Sequence, residues 1–509
     1  MLSHKETITI RRKIFIAAFS GILLILCAVL LNISTVKNVF YTQKAVSQRA
    51  SGIDIRPCRG DIYDKNMIPF TNTHSNKFIL NSNGISLYDG KSDKNNAYVF
   101  EMPSRYADTS VMHHISGYLN ADYSGASGIE KIFNKELSTN KKIRLDLINT
   151  AAGNPTYNGM YKIKNADYMS DSNIKLTVDR RIQNIVEKNM DKYIKSGAVV
   201  VLDVSSFDIL ASTSRPDFDV NDIKSAVSSA SSPLVNRAFS AYNAGSIFKI
   251  ITACGAIENG IYNLNSEFDC FGKINCGGKD FLCNGTHGHI NLKTGFAKSC
   301  NSVFYNVGLK CGGKILCDTA QKFLLGSTVT NIPQLEARGN VPVRGVYTDM
   351  ESVNLSIGQG ELLITPVQAA NIACIIANRG VWKSINLADS IVDKKGAVIK
   401  NLRKNNEGRA IPVSCADAVA DMMREAVLEG TAQSAQNGII AIAGKTGTAQ
   451  TGWYNNTTDE LNVHGWFIGY FPYETPKYAM AVLCEDGQSG AASCIPAFKD
   501  IALEIMCKG

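Results

Sequence analysis

The run from Ile14 to Ile33 spans 20 residues without a charge, and only Ser20, Gly21 and Asn32 within it are clearly not apolar. At about 1.5 Å per residue a helix of this length reaches about 30 Å, the thickness of a bilayer core. Lys5, Arg11, Arg12 and Lys13 precede it, opposed only by Glu6, and the next basic residue is Lys37. The positive-inside rule therefore predicts residues 1–13 in the cytoplasm and everything after the span outside. The run is longer than a signal-peptide apolar region and no A-x-A site follows it. Leu26, before Cys27, stands where a lipoprotein signal needs a small residue. The expectation is one uncleaved anchor at 14–33. A mean hydropathy of −0.05 excludes a polytopic membrane protein. With 45% apolar and 19% charged residues, the chain is not mainly disordered. A balance of 53 basic to 45 acidic residues is too mild to predict a nucleic-acid partner.

Beyond the span, residues 34–50 read as a stalk, and 51–170 as irregular β-rich structure with few long helices. The pattern changes at Lys175. Asp179 is a capping residue, and Ile182, Ile185, Val186 and Met190 recur at helical spacing. Ala198–Leu202 and Ile209–Ser214 then read as two strands around a turn. Gly438–Ala443, Trp466–Tyr470 and Tyr478–Leu483 read as three more, followed by a C-terminal helix. The expected fold is α+β: a transmembrane helix at 14–33, a β-rich pedestal at 34–173, and a domain at 174–509. That last domain would hold a five-stranded antiparallel sheet flanked by helices, with a mainly helical middle at about 240–435.

Fourteen cysteines in an exported chain permit disulfides. Cys270, Cys276 and Cys283, followed by His287 and His289, form the one dense cluster. C-x5-C-x6-C matches no compact zinc knuckle. The expectation is no metal and a bridge within a glycine-rich connection, Cys270 with Cys283, with free thiols and a metal site as the alternatives.

Three short motifs carry chemistry. In Gly245-Ser246-Ile247-Phe248-Lys249, Ser246 and Lys249 share one helix face. A serine needs an adjacent base, and a lysine kept neutral by its surroundings can serve. Gly245 would place Ser246 at a helix N-terminus, where free N–H groups favour a developing anion. Ser299-Cys300-Asn301 offers a hydroxyl to relay a proton and an amide to hold a carbonyl. Lys445-Thr446-Gly447-Thr448 follows an apolar strand, and its glycine lets an extended ligand lie along the strand edge. Each motif has a decoy: Ser172–Lys175, Ser352–Asn354 and Lys293-Thr294-Gly295. In the order S-x-x-K, S-x-N, K-T-G, on elements of the right type, the set matches the serine acyltransferases of penicillin-binding proteins and β-lactamases.

Taken together the chain resembles a class B penicillin-binding protein, a monofunctional peptidoglycan transpeptidase. Arg59-Gly60-Asp61-Ile62-Tyr63-Asp64 and Gly128-Ile129-Glu130 resemble the family's N-terminal motifs. Thr177-Val178-Asp179 with Gln183 resembles the opening helix of the transpeptidase domain. Asn236-Arg237-Ala238, Tyr242, Ser356-Ile357-Gly358-Gln359-Gly360 and Thr365-Pro366 are further landmarks. Ala244, Ile247 and Met67 depart from it where proline, threonine and glycine are common.

The resemblance implies a D-Ala-D-Ala stem-peptide donor attacked by Ser246, with Lys249 as base and an oxyanion hole from the N–H groups of Ser246 and Thr448. Asn301 would hold the donor backbone, and Ser299 and Lys445 would protonate the leaving D-Ala. Lys445, Thr446 and Thr448 would suit the terminal carboxylate, with Gly447 between them. Penicillins and other β-lactams would acylate the same serine, and no cofactor is needed. The stretch between span and domain is too short for a glycosyltransferase as well as a pedestal. Glycan polymerisation is therefore expected from a partner, a membrane enzyme of the shape, elongation, division and sporulation type. The rivals are an anchored β-lactamase and a non-catalytic sensor or division scaffold. A β-lactamase would need a deacylating base and leaves the pedestal unexplained. A sensor would need an output domain inside.

Overall fold

The computed structural model describes residues 4–38, 40–41, 50–81, 84–91, 97–106, 111–148, 161–164, 170–454 and 461–507. Helix α1, His4–Leu31, runs into a π-helical turn, Asn32–Val36. The stretch Thr7–Val36 has a mean hydropathy of 3.0, and its apolar side chains are exposed. By length and composition it can cross a membrane. Within the expected stalk, residues 39 and 42–49 lie outside the described residues.

The chain divides into two compact units. The described parts of Met1–Cys58, Ser75–Pro103 and Asn140–Tyr168 form the smaller. It is β-rich as expected, with Ala50–Arg59, Ser138–Ile148 and Tyr161–Lys164 in one sheet and Gly84–Leu87, His74–Asn81 and Tyr98–Ser104 in another. Leu80, Tyr98, Phe100, Ile143 and Leu145 make its core.

The larger unit comprises the described parts of Arg59–His74, Ser104–Thr139 and Met169–Gly509. This differs from the linear boundary expected at 173/174, because two stretches of the expected pedestal pack here. The cause is both apolar and ionic. The strand Ile62–Tyr63 pairs in parallel with Asn173–Leu176, and Ile62, Ile115, Ile129 and Leu137 are buried in the same core as Ile174. The two N-terminal motifs meet in a buried ion pair, Arg59 Nε to Glu130 Oε2 at 2.6 Å, joined by Arg105 at 2.7 Å.

Helix α2, Arg180–Tyr193, starts where expected, its Asp179 carboxylate accepting from Arg181 N at 3.0 Å. Gln183 ties it to the next strands by donating to Ser212 O and accepting from Ser212 N. Strands β1 (Gly197–Asp203) and β2 (Ile209–Arg215) form the expected hairpin. Helices α3 (Lys249–Glu258), α4 (Leu292–Ala297), α5 (Asn301–Lys322), α6 (Pro366–Ala377) and α7 (Val413–Leu428) follow. Thr365 and Gln368 form a capping box at α6. Strands β3 (Ala443–Tyr454), β4 (Leu461–Phe471) and β5 (Tyr478–Cys484) complete the sheet in the order β2-β1-β5-β4-β3, antiparallel throughout. Helix α8, Ile495–Cys507, closes the unit.

Strand β1 is buried on both faces. Ala198, Val200 and Leu202 join the main core with α3, α5 and α6, while Val199 and Val201 meet α2 and Phe498 and Ile501 of α8. Each of the larger side chains, from valine upward, contributes about 1.5–3 kcal/mol by leaving water, so the sheet is a firm platform for its edge strand.

Two local expectations are corrected. The strand placed at Gly438–Ala443 begins only at Ala443. Asn437 accepts from Ile439 N and Ile440 N through its side chain, which bends the chain, and Gly438 has φ +72°. The middle segment is not only helical. Between 267 and 291 it makes two small ladders, Glu267–Cys270 with Gly288–Asn291 and Lys273–Cys276 with Lys279–Leu282. These strands are four residues long and polar, too short to show a period.

Candidate active site

Ser246 sits in a single 3-10 turn, Gly245–Phe248, that opens α3. The turn needs glycine: Gly245 has φ +57°, and a Cβ there would lie 2.7 Å from Thr448 O. Behind it Gly245 N donates to Gly358 O at 2.9 Å, and a Cβ on Gly358 would meet Gly245 O at 2.1 Å. The Ser356–Gly360 landmark is thus the backing of the serine turn. Ile247 is buried, and a Cβ on Gly447 would meet its Cγ2 at 2.9 Å. So the departure at Ile247 supplies the packing between the first and third motifs.

Ser299 lies between α4 and α5 in the left-handed region, φ +54°, an uncommon conformation for a residue with a Cβ. Its hydroxyl bridges two buried lysines, receiving from Lys249 Nζ at 3.1 Å and from Lys445 Nζ at 3.0 Å. Lys249 also donates to Ser299 O and to Asn301 Oδ1, both at 2.7 Å, and Lys445 to Thr446 O at 2.8 Å. Each ammonium lies over an aromatic ring, Lys249 over Phe304 and Lys445 over Phe296. Burial pushes Lys249 down to about 7, against the pull of the Cys300 and Cys283 thiols. Burial, then repulsion from Lys249, pushes Lys445 well below the usual lysine range. Desolvation penalises the charged form, so the pair is poised to exchange protons through Ser299.

A cleft of about 750 Å³ is lined by Ser246, Ser299, Asn301, Thr446, Gly447 and Thr448. Lys249 and Lys445 lie beneath it, fully buried. The eight residues singled out from the sequence are therefore brought together, from α3, the α4–α5 junction and β3. Ser246 Oγ has no hydrogen-bond partner among the described residues. Strand β3 is a sheet edge, paired on one side with β4, where Thr448 stands opposite Gly465. Its other side can accept an extended peptide as a further strand.

The decoys go elsewhere. Lys175 pairs with Asp389, and Lys293 on α4 pairs with Asp421 at 3.0 Å and Glu425 at 3.3 Å. Lys293 is thus held in a surface ion-pair cluster rather than simply solvated. One decoy reaches the site in part, since Asn354 lines the cleft. Its signal was its place two residues before Ser356. Thr431, whose hydroxyl lies 2.6 Å from that of Thr446, carried no sequence signal. The expected Cys270–Cys283 bridge is absent: Cys270, Cys276 and Cys283 are free thiols.

The remaining landmarks are structural. Arg237 and Tyr242 converge on Glu485, which follows β5, at 2.7 Å each. Met67, where glycine is common, has φ +65° in a turn held by the Asp64 carboxylate, which accepts from Asn66 N and Ile68 N.

Residues 197–504, more than half of the chain, match the family model of the penicillin binding protein transpeptidase domain. The chain belongs to this family, so the enzyme class expected from its motifs is that of a serine-type transpeptidase. It is 31% identical over 347 residues to the peptidoglycan D,D-transpeptidase PbpA of Mycolicibacterium smegmatis, covering 62% of this chain and 67% of that protein. Similarity to FtsI of Escherichia coli, also named a peptidoglycan D,D-transpeptidase, is 26% over 400 residues, 76% of this chain and 63% of the relative. Among solved structures, penicillin-binding protein 3 of Mycobacterium tuberculosis complexed with aztreonam superposes with a TM-score of 0.70 at 23% identity, covering 89% of this chain and 97% of that one. The expected fold and family are borne out. Among the described residues one helix, at the N-terminus, is long and apolar enough to anchor the protein in a membrane.

Proposed function

We propose that the chain cross-links peptidoglycan as a D,D-transpeptidase, with Ser246 as its nucleophile. The observation that carries this is the Lys249–Ser299–Lys445 bridge beneath Ser246. Neutral Lys249 takes the proton as Ser246 Oγ attacks the penultimate D-Ala carbonyl. The N–H groups of Ser246 and Thr448 receive the developing oxyanion. Asn301 holds the donor backbone, and Thr446 and Thr448, beside Lys445, receive its terminal carboxylate. The proton passes through Ser299 and Lys445 to the departing D-Ala nitrogen. An amine of a neighbouring stem peptide then attacks the ester, forming the cross-link and freeing Ser246. A β-lactam enters by the same first step and leaves the serine acylated. The test is the position of the adduct. Protein treated with penicillin and digested should carry the mass increment on the peptide holding Ser246; an adduct confined to any other residue overturns the assignment.

The basic residues at the start of α1, Lys5, Arg11, Arg12 and Lys13, which precede its apolar run, support an N-terminus in the cytoplasm and a catalytic unit outside. A reporter fused after residue 60 that is active only in the cytoplasm would refute this. Residues 34–173 act as the pedestal and 174–509 as the catalytic domain, with the two N-terminal motif stretches packed onto the latter. Glycan chains come from a separate membrane polymerase of the shape, elongation, division and sporulation type. Failure of such a polymerase to co-purify with the anchored protein after cross-linking in membranes would count against that partner.

A further inference from the structure

Four side chains beside the cleft converge on a point that no step above uses. Cys270 ends the strand Glu267–Cys270, Cys283 follows the strand Lys279–Leu282, His287 precedes Gly288–Asn291, and Cys300 caps α5 between Ser299 and Asn301. Their ligand atoms all lie within 4.8 Å of one another. Cys270 Sγ is 3.4 Å and Cys283 Sγ 3.7 Å from His287 Nδ1, and Cys283 Sγ is 3.6 Å from Cys300 Sγ. A disulfide would need about 2.05 Å. A tetrahedral ion with bonds of about 2.3 Å to sulfur and about 2.0 Å to nitrogen sets its ligands about 3.5–3.8 Å apart. These three separations are within about 0.2 Å of a tetrahedron's edges, and the remaining pairs lie within 4.8 Å.

The geometry points to a structural Zn²⁺ site formed by Cys270, Cys283, His287 and Cys300, which fastens the 267–291 excursion to the Ser299-Cys300-Asn301 motif. The spacing is C-x12-C-x3-H-x12-C, its last member hidden inside a catalytic triplet. Three thiols and one imidazole suit zinc, and four protein ligands leave no open position for chemistry. On binding, the three thiols release their protons to solvent. Cys276 is not among the converging ligands, and His289 pairs with Asp269 at 2.9 Å, so neither of these members of the sequence cluster belongs to the site. The excursion is worth fastening. Leu282 and Asn284 line the cleft, and Leu282 O accepts from Tyr305 of α5 at 3.0 Å. Cys300 carries on either side the two residues that hold Lys249. The four cysteine and histidine ligands are therefore positioning residues, not catalytic ones.

The experiment uses the full chain, purified in detergent without chelator or affinity metal. Elemental analysis should find about one zinc per chain, unchanged in Cys276→Ser and less than half of that in both Cys283→Ser and His287→Ala. Stripped wild-type protein should take up Co²⁺ with the visible spectrum of a tetrahedral thiolate complex. Zinc-free protein should be acylated by penicillin at least tenfold more slowly, with the rate restored by Zn²⁺, the scale on which supports of a site act. Wild-type protein without bound metal, with another metal in place of zinc, with a Cys270–Cys283 disulfide, or with zinc unaffected by both ligand variants would overturn the site. Unchanged acylation after stripping would overturn the positioning role. Failure of the zinc-loaded protein to react with penicillin at all would tell against the transpeptidase reading instead, since metal content is read without activity.

Discussion

The two K-T-G triplets are identical in sequence and opposite in fate. Lys293-Thr294-Gly295 occupies the short helix α4, where the backbone N–H groups serve the helix and its cap, and Lys293 reaches out to Asp421 and Glu425. Lys445-Thr446-Gly447 lies inside an edge strand whose next neighbour inward is buried on both faces. There alternation sends Lys445 down into the core and Thr446 and Thr448 up into the cleft. Surroundings set the chemistry of the ammonium. The helical lysine, beside two carboxylates, is held above the usual range, whereas the strand lysine, buried beside another lysine, is pushed well below it. Only the second is poised to give and take a proton. A short motif acquires meaning from the element it sits on and from what that element buries.

The largest expected difference lies between the two S-x-x-K matches. Ser246→Ala should abolish covalent labelling by a fluorescent penicillin, while Ser172→Ala should label as the parent does. Ser172 precedes a strand on which Lys175 turns to Asp389, so no base serves it. Undiminished labelling of the Ser246 variant would break the comparison outright. Next comes Lys445→Ala. Removing a group that moves a proton in the transition state costs about 10²–10⁴-fold, so penicillin acylation measured by stopped flow should slow at least a hundredfold or so. A loss below about tenfold would mean that Ser299 exchanges its proton without Lys445.

Much of this was legible in the chain. The apolar span, the α2 helix with its Asp179 cap and the strands of the sheet each follow from period or capping chemistry within a short window. The eight motif residues that meet at the cleft were found through motif order. What was missed is non-local. Asp64, Glu130 and Asn173 draw parts of the expected pedestal into the larger unit through contacts as much as 116 residues apart, as between Asp64 and Arg180. Nothing near Arg59 says that Glu130 will be its partner. The metal cluster escaped for the same reason. Three of its ligands lie close together in the chain, but the fourth is the silent middle residue of a catalytic motif. Thr431 reaches the cleft only because the α7–β3 connection passes beside Thr446.

A smaller effect should come from Gly447→Ala. The added methyl would press on Ile247 Cγ2 at 2.9 Å, on Ile247 N at 3.2 Å and on Trp466 Cβ at 3.2 Å. The residue pushed is the immediate neighbour of Ser246, and Trp466 cannot yield because it is fully buried. Displacing the serine turn by a fraction of an ångström should slow acylation on the order of tenfold to a hundredfold, with Lys249 and Lys445 untouched. Parent-like acylation kinetics would show that the third motif does not set the position of the first.

The smallest effect is the one that closes the comparison, Lys293→Ala. This ammonium makes two ion pairs at the surface, with Asp421 and Glu425 of α7, and all three side chains keep substantial contact with water. Exposed pairs of this kind are worth about 0.2–1 kcal/mol, because solvent screens them and holding long side chains costs entropy. Removal leaves two carboxylates near each other but hydrated, so no buried charge is stranded. The urea midpoint should fall by an amount equivalent to no more than about 1 kcal/mol, and penicillin acylation should stay within about twofold of the parent, a surface-scale effect. A hundredfold loss of acylation here, with a parent-like midpoint, would show that the helical triplet takes part in the reaction after all, and that the edge strand is not what distinguishes the two.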